Sequence, residues 1–199
     1  TSALVTNVRV DNTNPTGSVT APAASANVRG TAVSVTSDSA DAGSGVSSVT
    51  FERSLAGMGS WTSLSSDALP PYSVSWETTL VADGLYDLRA VTTDLAGNSF
   101  TSALVTNVRV DNTNPTGSVT APAASANVAG AAVSFTSDSA DAGSGVASAQ
   151  FQRSPAGAGT WTAIGAADTT SPYAVSWDTT LLADGLYDLR VVTTDNVGN

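Results

Sequence analysis

The chain is 199 residues long and 41% hydrophobic, enough for a packed core in one large or two ordinary domains. Its net charge is −10 and its seven basic residues are all Arg, which argues against nucleic acid or an anionic membrane surface as a partner, since both need a basic patch. His and Cys are absent, which excludes disulfides, thiol nucleophiles, Ser-His triads and the usual zinc sites, and no run is long and apolar enough to insert in a bilayer.

Residues 1–28 recur unchanged as 101–128, and the copies stay aligned to the end, with one residue added before Pro172. A period near one hundred indicates an array of whole domains rather than a solenoid. In chain order, residues 3–10 alternate as a strand and end at Asp11-Asn12-Thr13-Asn14-Pro15, a turn or linker sequence. Residues 17–20 form a first short strand. Residues 31–38 follow, with Val33 and Val35 on one face. The Asp-, Gly- and Ser-rich stretch 38–45 is a loop. Residues 47–53 point Val49 and Phe51 inward, 55–59 turn, and 61–64 form a short strand. Residues 71–77 place Tyr72, Val74 and Trp76 on one face. Asp83-Gly84 is a tight turn, after which 85–94 point Tyr86, Leu88 and Ala90 inward. A turn over 94–98 leads into a last strand, 100–110. No segment carries a sustained helical period.

Seven short strands per hundred residues predict an all-β chain of two tandem Ig-like or fibronectin-III-like β-sandwiches. The phase of the repeat makes residues 1–10 the last strand of a preceding or neighbouring repeat and 11–110 the first domain. Residues 111–199 form a second domain without its own last strand. Two readings follow: an excerpt of a longer array, or head-to-tail strand exchange that builds a fibre. Between the copies Val35 becomes Phe135 and Val49 becomes Ala149. Compensating volumes of this kind are expected where strands of opposite sheets share one core.

The segment Pro71-Tyr72-Ser73-Val74-Ser75-Trp76, then Asp83-Gly84-Leu85-Tyr86-Asp87-Leu88, then Thr93-Asp94-Leu95-Ala96-Gly97-Asn98 resembles the bacterial Ig-like domain family. The resemblance covers nearly the whole chain, twice. It implies tandem modules of surface and secreted bacterial proteins: adhesins, stalks and accessory segments of enzymes. Tyr86 and Tyr187 resemble the tyrosine corner of such folds, whose hydroxyl bonds back across the turn before the strand.

At one pole of such a sandwich the linker, the 38–45 loop and the 94–98 turn meet. They bring together Asp11, Asn12, Asn14, Asp38, Asp41, Asp94 and Asn98. At the other pole Asp83 approaches Asp111 and Asn112 of the next linker. Converging oxygen ligands suit Ca²⁺, and the linker is similar in composition to those of calcium-binding cadherin-type arrays. The same residues are also ordinary turn formers. Trp61 and Trp161 read as covers of the core edge or as sugar-stacking platforms. Arg53 and Arg89 are expected in cross-strand pairs with Glu52 or Asp87.

These features predict a non-catalytic spacer or stalk of an extracellular or cell-surface protein. Each sandwich would be roughly 35–45 Å long, with neighbouring repeats, and copies of the same chain, as partners. A carbohydrate- or host-protein-binding module and a strand-complemented fibre are the alternatives.

Overall fold

A computed structural model describes residues 2–199. Alternating Val, Ser and Thr fit a pleated, half-buried surface, and strands dominate accordingly, with a short 3₁₀ segment at Thr78–Leu80. Among the described residues no helix is long and apolar enough to cross a membrane. Two compact units divide between Asn112 and Thr113.

In the first unit, β1 (Val19–Ala21), β3 (Val33–Ser37) and β6 (Ser73–Trp76) make one antiparallel sheet. The facing sheet runs in the order β2 (Asn27–Val28), β9 (Val105–Val110), β7 (Gly84–Asp94), β4 (Val46–Leu55) and β5 (Thr62–Asp67), and β8 (Ser99–Thr101) also pairs with β7. The inward sets read from alternation face the core, with Val33 and Val74 only partly buried. Val35, Val49, Phe51 and Leu88 are fully buried, and Tyr72, Trp76, Tyr86 and Ala90 nearly so. Val35 and Val49 come from opposite sheets and share this core, as the paired volume changes require.

Two features depart from the seven-strand expectation. The first strand is split: β1 stays in the small sheet, whereas β2 crosses over and pairs in parallel with β9. Pro22, which has no N–H, closes β1, and the crossing turn holds Ser25 at φ 60°. A two-residue strand carries no readable period. The last strand is split as well. Ser102 interrupts it, with its Oγ accepting the Ala90 N–H at 3.0 Å and donating to the Ala103 carbonyl at 2.9 Å. Further on, Asn107 at φ 60° forms a bulge whose N–H donates to Asp87 Oδ1 at 3.1 Å.

The second unit repeats the plan with β10 (Val119–Ala121), β11 (Val133–Ser137) and β14 (Ala174–Trp177) in one sheet. β13 (Thr162–Ala163), β12 (Val146–Pro155) and β15 (Tyr187–Asp195) form the other. Phe135, Ala149 and Phe151 are fully buried, and Phe135 packs edge-on against Phe151 with ring centroids 4.8 Å apart. Along β15 the counterparts of the buried β7 residues, Tyr187, Leu189 and Val191, are only half-buried, and Leu186 is 83% exposed. Residues 2–10, expected to be a strand, form none and are exposed.

Candidate functional site

β4 and β7 fix the poles of the first unit. Val46 pairs with Asp94 and Leu55 with Tyr86, so the 38–45 loop and the 94–98 turn sit together at one end and the turn before β7 at the other. At the first pole the linker is fastened by its leading carboxylate. Asp11 Oδ2 accepts the Ser44 N–H at 2.6 Å and Oδ1 the Thr13 N–H at 3.1 Å. Arg9 donates to the Gly43 carbonyl. A Cβ on Gly43 would lie 2.3 Å from Asp11 Oδ2, so the close approach of this loop needs a glycine. Asp41 Oδ2 accepts the Gly45 N–H at 2.7 Å. Asp94, buried, accepts the N–H groups of Ala96 and Asn98 at 2.9 and 2.8 Å. Asn98 Nδ2 then bridges from Asp94 Oδ2, at 2.7 Å, to the Asp11 carbonyl, at 3.2 Å.

Carboxylate oxygens of Asp11, Asp41 and Asp94 lie within 4.8 Å of one another. The Ser44 hydroxyl is the largest influence holding the Asp11 carboxyl below its usual 3.8, followed by the Thr13 and Ser44 amides; slight desolvation opposes them and the charge of Arg9 assists. Asp11 therefore stays ionised at neutral pH through donors of its own loops. Asp94 Oδ1 already accepts two N–H groups, so a hard cation would be held through the lone pairs left on the other carboxylate oxygens.

The other expected ligands lie elsewhere. Asp38 caps the start of the first strand, accepting the Ser18 N–H at 2.6 Å and its hydroxyl at 2.9 Å. Asn12 and Asn14 are exposed. At the opposite pole Asp83 Oδ1 accepts the N–H of Asn112 at 2.9 Å and its side-chain amide at 3.2 Å. Asn112 Oδ1 accepts the Gly30 N–H at 3.0 Å and the Thr78 hydroxyl at 3.2 Å. Asp111 is fully buried, and its N–H donates to the Val28 carbonyl. In the second unit Asp141 and Asp195 keep the loop bonds of Asp41 and Asp94. Gly43 and Ser44 were missed as clasp residues; the Gly-Ser-Gly run after Asp41 was their only trace in the sequence.

Trp61 has one face covered by the Arg89 guanidinium, 4.2 Å from the ring centroid, and Trp161 by Arg190 at 4.1 Å. Arg89 also pairs with Glu52 at 2.7 Å, one of the partners expected for it, while Arg53 lies over Tyr86 at 5.6 Å. The tyrosine corner is present in both units: the Tyr86 hydroxyl donates to the Ala82 carbonyl at 2.9 Å and Tyr187 to Ala183 at 3.0 Å.

The second unit also carries an open groove of about 550 Å³ between residues 119–128 and the start of β15, lined by Val119, Val128, Trp177, Leu186, Tyr187 and Leu189. In the first unit β9 lies between the corresponding elements, β2 and β7.

Among curated proteins none matches the chain. It is similar in fold to the fibronectin(III)-like modules of Clostridium thermocellum CbhA, at 22% identity and a TM-score of 0.52, over 92% of this chain and 87% of that one. Weaker likeness extends to the FN1-FN3 domains of chicken CNTN1, at 17% identity and a TM-score of 0.36, over 86% of this chain and 59% of that one. A tetra-tandem repeat in the extending region of a large adhesion protein matches at 16% identity and a TM-score of 0.36, over 94% of this chain and 46% of that one. A family model described as Bacterial Ig domain matches twice, over residues 15–90 and 115–191; the chain belongs to the bacterial Ig domain family.

Proposed function

We propose that this chain is a non-catalytic spacer segment of a bacterial surface or secreted protein, giving reach and resistance to tension. The observation that carries the reading is how the chain is tied into the first unit. It enters at the pole of the 38–45 loop, held by Asp11, and leaves at the opposite pole, held through Asn112. Between them β2 and β9 run parallel, joined by Ser25 N–H to Thr106 O at 3.0 Å, Arg109 N–H to Ala26 O at 2.8 Å and Asp111 N–H to Val28 O at 3.1 Å. Tension applied at the two ends pulls these parallel strands in opposite directions. It loads the three bonds together in shear rather than one after another.

Single-molecule pulling tests this. The first unit is expected to give a discrete force peak that drops when Arg109→Pro removes the central N–H of the patch. An unchanged peak in that variant, with folding verified by circular dichroism, overturns the reading.

The clasp favours a second element of the same reading, a Ca²⁺ seat among Asp11, Asp41 and Asp94 that stiffens the linker, because three carboxylates converge there within 4.8 Å. Melting in Ca²⁺ and in chelator decides it. A calcium-dependent rise in the first-unit transition, lost in Asp41→Asn, supports the seat. Equal melting temperatures mean that the carboxylates serve only to cap backbone amides.

A further inference from the structure

We infer that Arg190, Trp161 and the amides of Gln150 and Gln152 form a binding site for an acidic sugar, a uronate unit of a polysaccharide. Alternation builds the site. Ala149 and Phe151 are buried in the core of the second unit, so Gln150 and Gln152 project from the opposite, outer face of β12. Arg190 on β15 is in register with Gln152 and shares that face. Its guanidinium lies 4.1 Å from the ring centroid of Trp161, which is half-buried. The first unit builds the same stack from Arg89 and Trp61, at 4.2 Å, with β9 in place beside β7. The stack therefore belongs to the repeat and does not depend on which strands flank β15.

What differs between the units is the charge beside the arginine. Arg89 Nε donates to the Glu52 carboxylate at 2.7 Å, an ion pair. Arg190 Nε donates instead to the neutral amide oxygen of Gln152 at 2.8 Å. The guanidinium of Arg190 thus keeps its full charge, and its terminal N–H groups form a planar pair of donors that matches a carboxylate. Both units carry an aspartate two positions before the arginine, Asp87 and Asp188, each bonded to a turn amide, so the change from Glu to Gln is the charge difference at the site. Thr50, whose hydroxyl is taken by Ser66 at 2.8 Å, is likewise replaced by Gln150. Gln150 directs its Nε2 to the Phe151 carbonyl at 3.1 Å, which leaves its Oε1 as an acceptor, and Gln152 keeps its Nε2 as a donor. An acceptor and a donor around a cation beside an indole suit a ligand that combines hydroxyls, a carboxylate and an apolar C–H face. A uronate has all three, whereas an acidic peptide lacks the hydroxyls. The net charge of −10 opposes long-range capture of a polyanion, so recognition rests on these short contacts rather than on steering.

This goes beyond the spacer reading, and the two fail separately, because a solution titration does not probe force resistance. The 199-residue chain is titrated with tetragalacturonate while NMR follows the indole N–H signals of Trp61 and Trp161, so each unit reports its own affinity. The Trp161 signal is expected to saturate at a lower ligand concentration than the Trp61 signal. Arg190→Gln should weaken binding at Trp161 by about tenfold. The methyl ester of the same oligosaccharide, which lacks the charge, should bind there about tenfold more weakly as well. Reciprocal exchanges give the sharper test, because each installs the residue that the other unit already carries and so preserves folding. Glu52→Gln should tighten binding at Trp61 by about threefold, and Gln152→Glu should weaken it at Trp161 by a similar factor. The absence of a saturable shift at Trp161, equal binding of the methyl ester, equal binding of a tetraglutamate peptide, or reciprocal exchanges that leave both affinities unchanged overturns the proposal.

Discussion

The two units share a strand plan and nearly a sequence, yet their cores close differently. In the first, β7 has neighbours on both edges, and Tyr86, Leu88 and Ala90 are between 0% and 2% exposed. In the second, β15 pairs with β12 alone among the described residues, and Tyr187, Leu189 and Val191 are half-buried. β15 also starts at Tyr187, whereas β7 starts at Gly84, two residues before its matching tyrosine. Alternation thus selects which side chains face inward, but the neighbouring strand decides how completely they leave water. Burial, the larger part of the stabilisation, depends on residues far away in sequence.

The largest test of this contrast is a paired truncation. Leu88→Ala, at a site with no exposure, is expected to destabilise the first unit by about 2–5 kcal/mol. Leu189→Ala should lower the second-unit transition by markedly less, since part of its surface already meets water. Calorimetry with separate transitions reads both, and equal losses would erase the distinction. Next come the corners. Tyr86→Phe removes the bond to Ala82 O from a nearly buried hydroxyl and is expected to cost about 1 kcal/mol. Tyr187→Phe, at a half-exposed ring, should cost less in the same melting experiment.

Acid should weaken both units. The Ser18 N–H, and then its hydroxyl, hold Asp38 below 3.8; Ser118 does the same for Asp138. Asp67 and Asp168 are held down by the amides of Ser73 and Leu69, and of Ala174 and Thr170. A carboxyl with a depressed folded pKa contributes its full stability above 3.8 and loses it as pH falls through the lower folded value. Asp11 in the first unit and Asp178 and Asp195 in the second are also held below 3.8, so both transitions should drop below that pH, and a pH series of melting curves checks the fall in each. The smallest effect isolates a natural difference. Arg89 pairs with Glu52, where Arg190 meets Gln152 at 2.8 Å. Glu52→Gln should shift the first unit by under about 1 kcal/mol, and chemical denaturation detects whether the charge contributes at all.

Much of the fold could be read locally. The inward positions of the long strands follow from alternation, the tyrosine corner from the resemblance to Ig-like folds, and the meeting of linker, 38–45 loop and 94–98 turn from the sandwich plan. The candidate site was legible only in part. Asp11, Asp41, Asp94 and Asn98 come together at one pole and Asp83 bonds Asn112 at the other, while Asp38 turns to Ser18. An aspartate two or three positions along a loop reaches a different amide, and loop composition does not say which.

By itself the sequence determined the repeat, the all-β class, the inward face of each long strand and the absence of His and Cys chemistry, because these depend on residue type and spacing of two. The tertiary structure alone decided the parallel crossing of β2 onto β9, the breaks at Ser102 and Asn107 and the Gly43–Asp11 approach. Each of these is a matter of which distant backbone edge or polar group lies within reach, and neither side chain pattern nor local propensity encodes that distance.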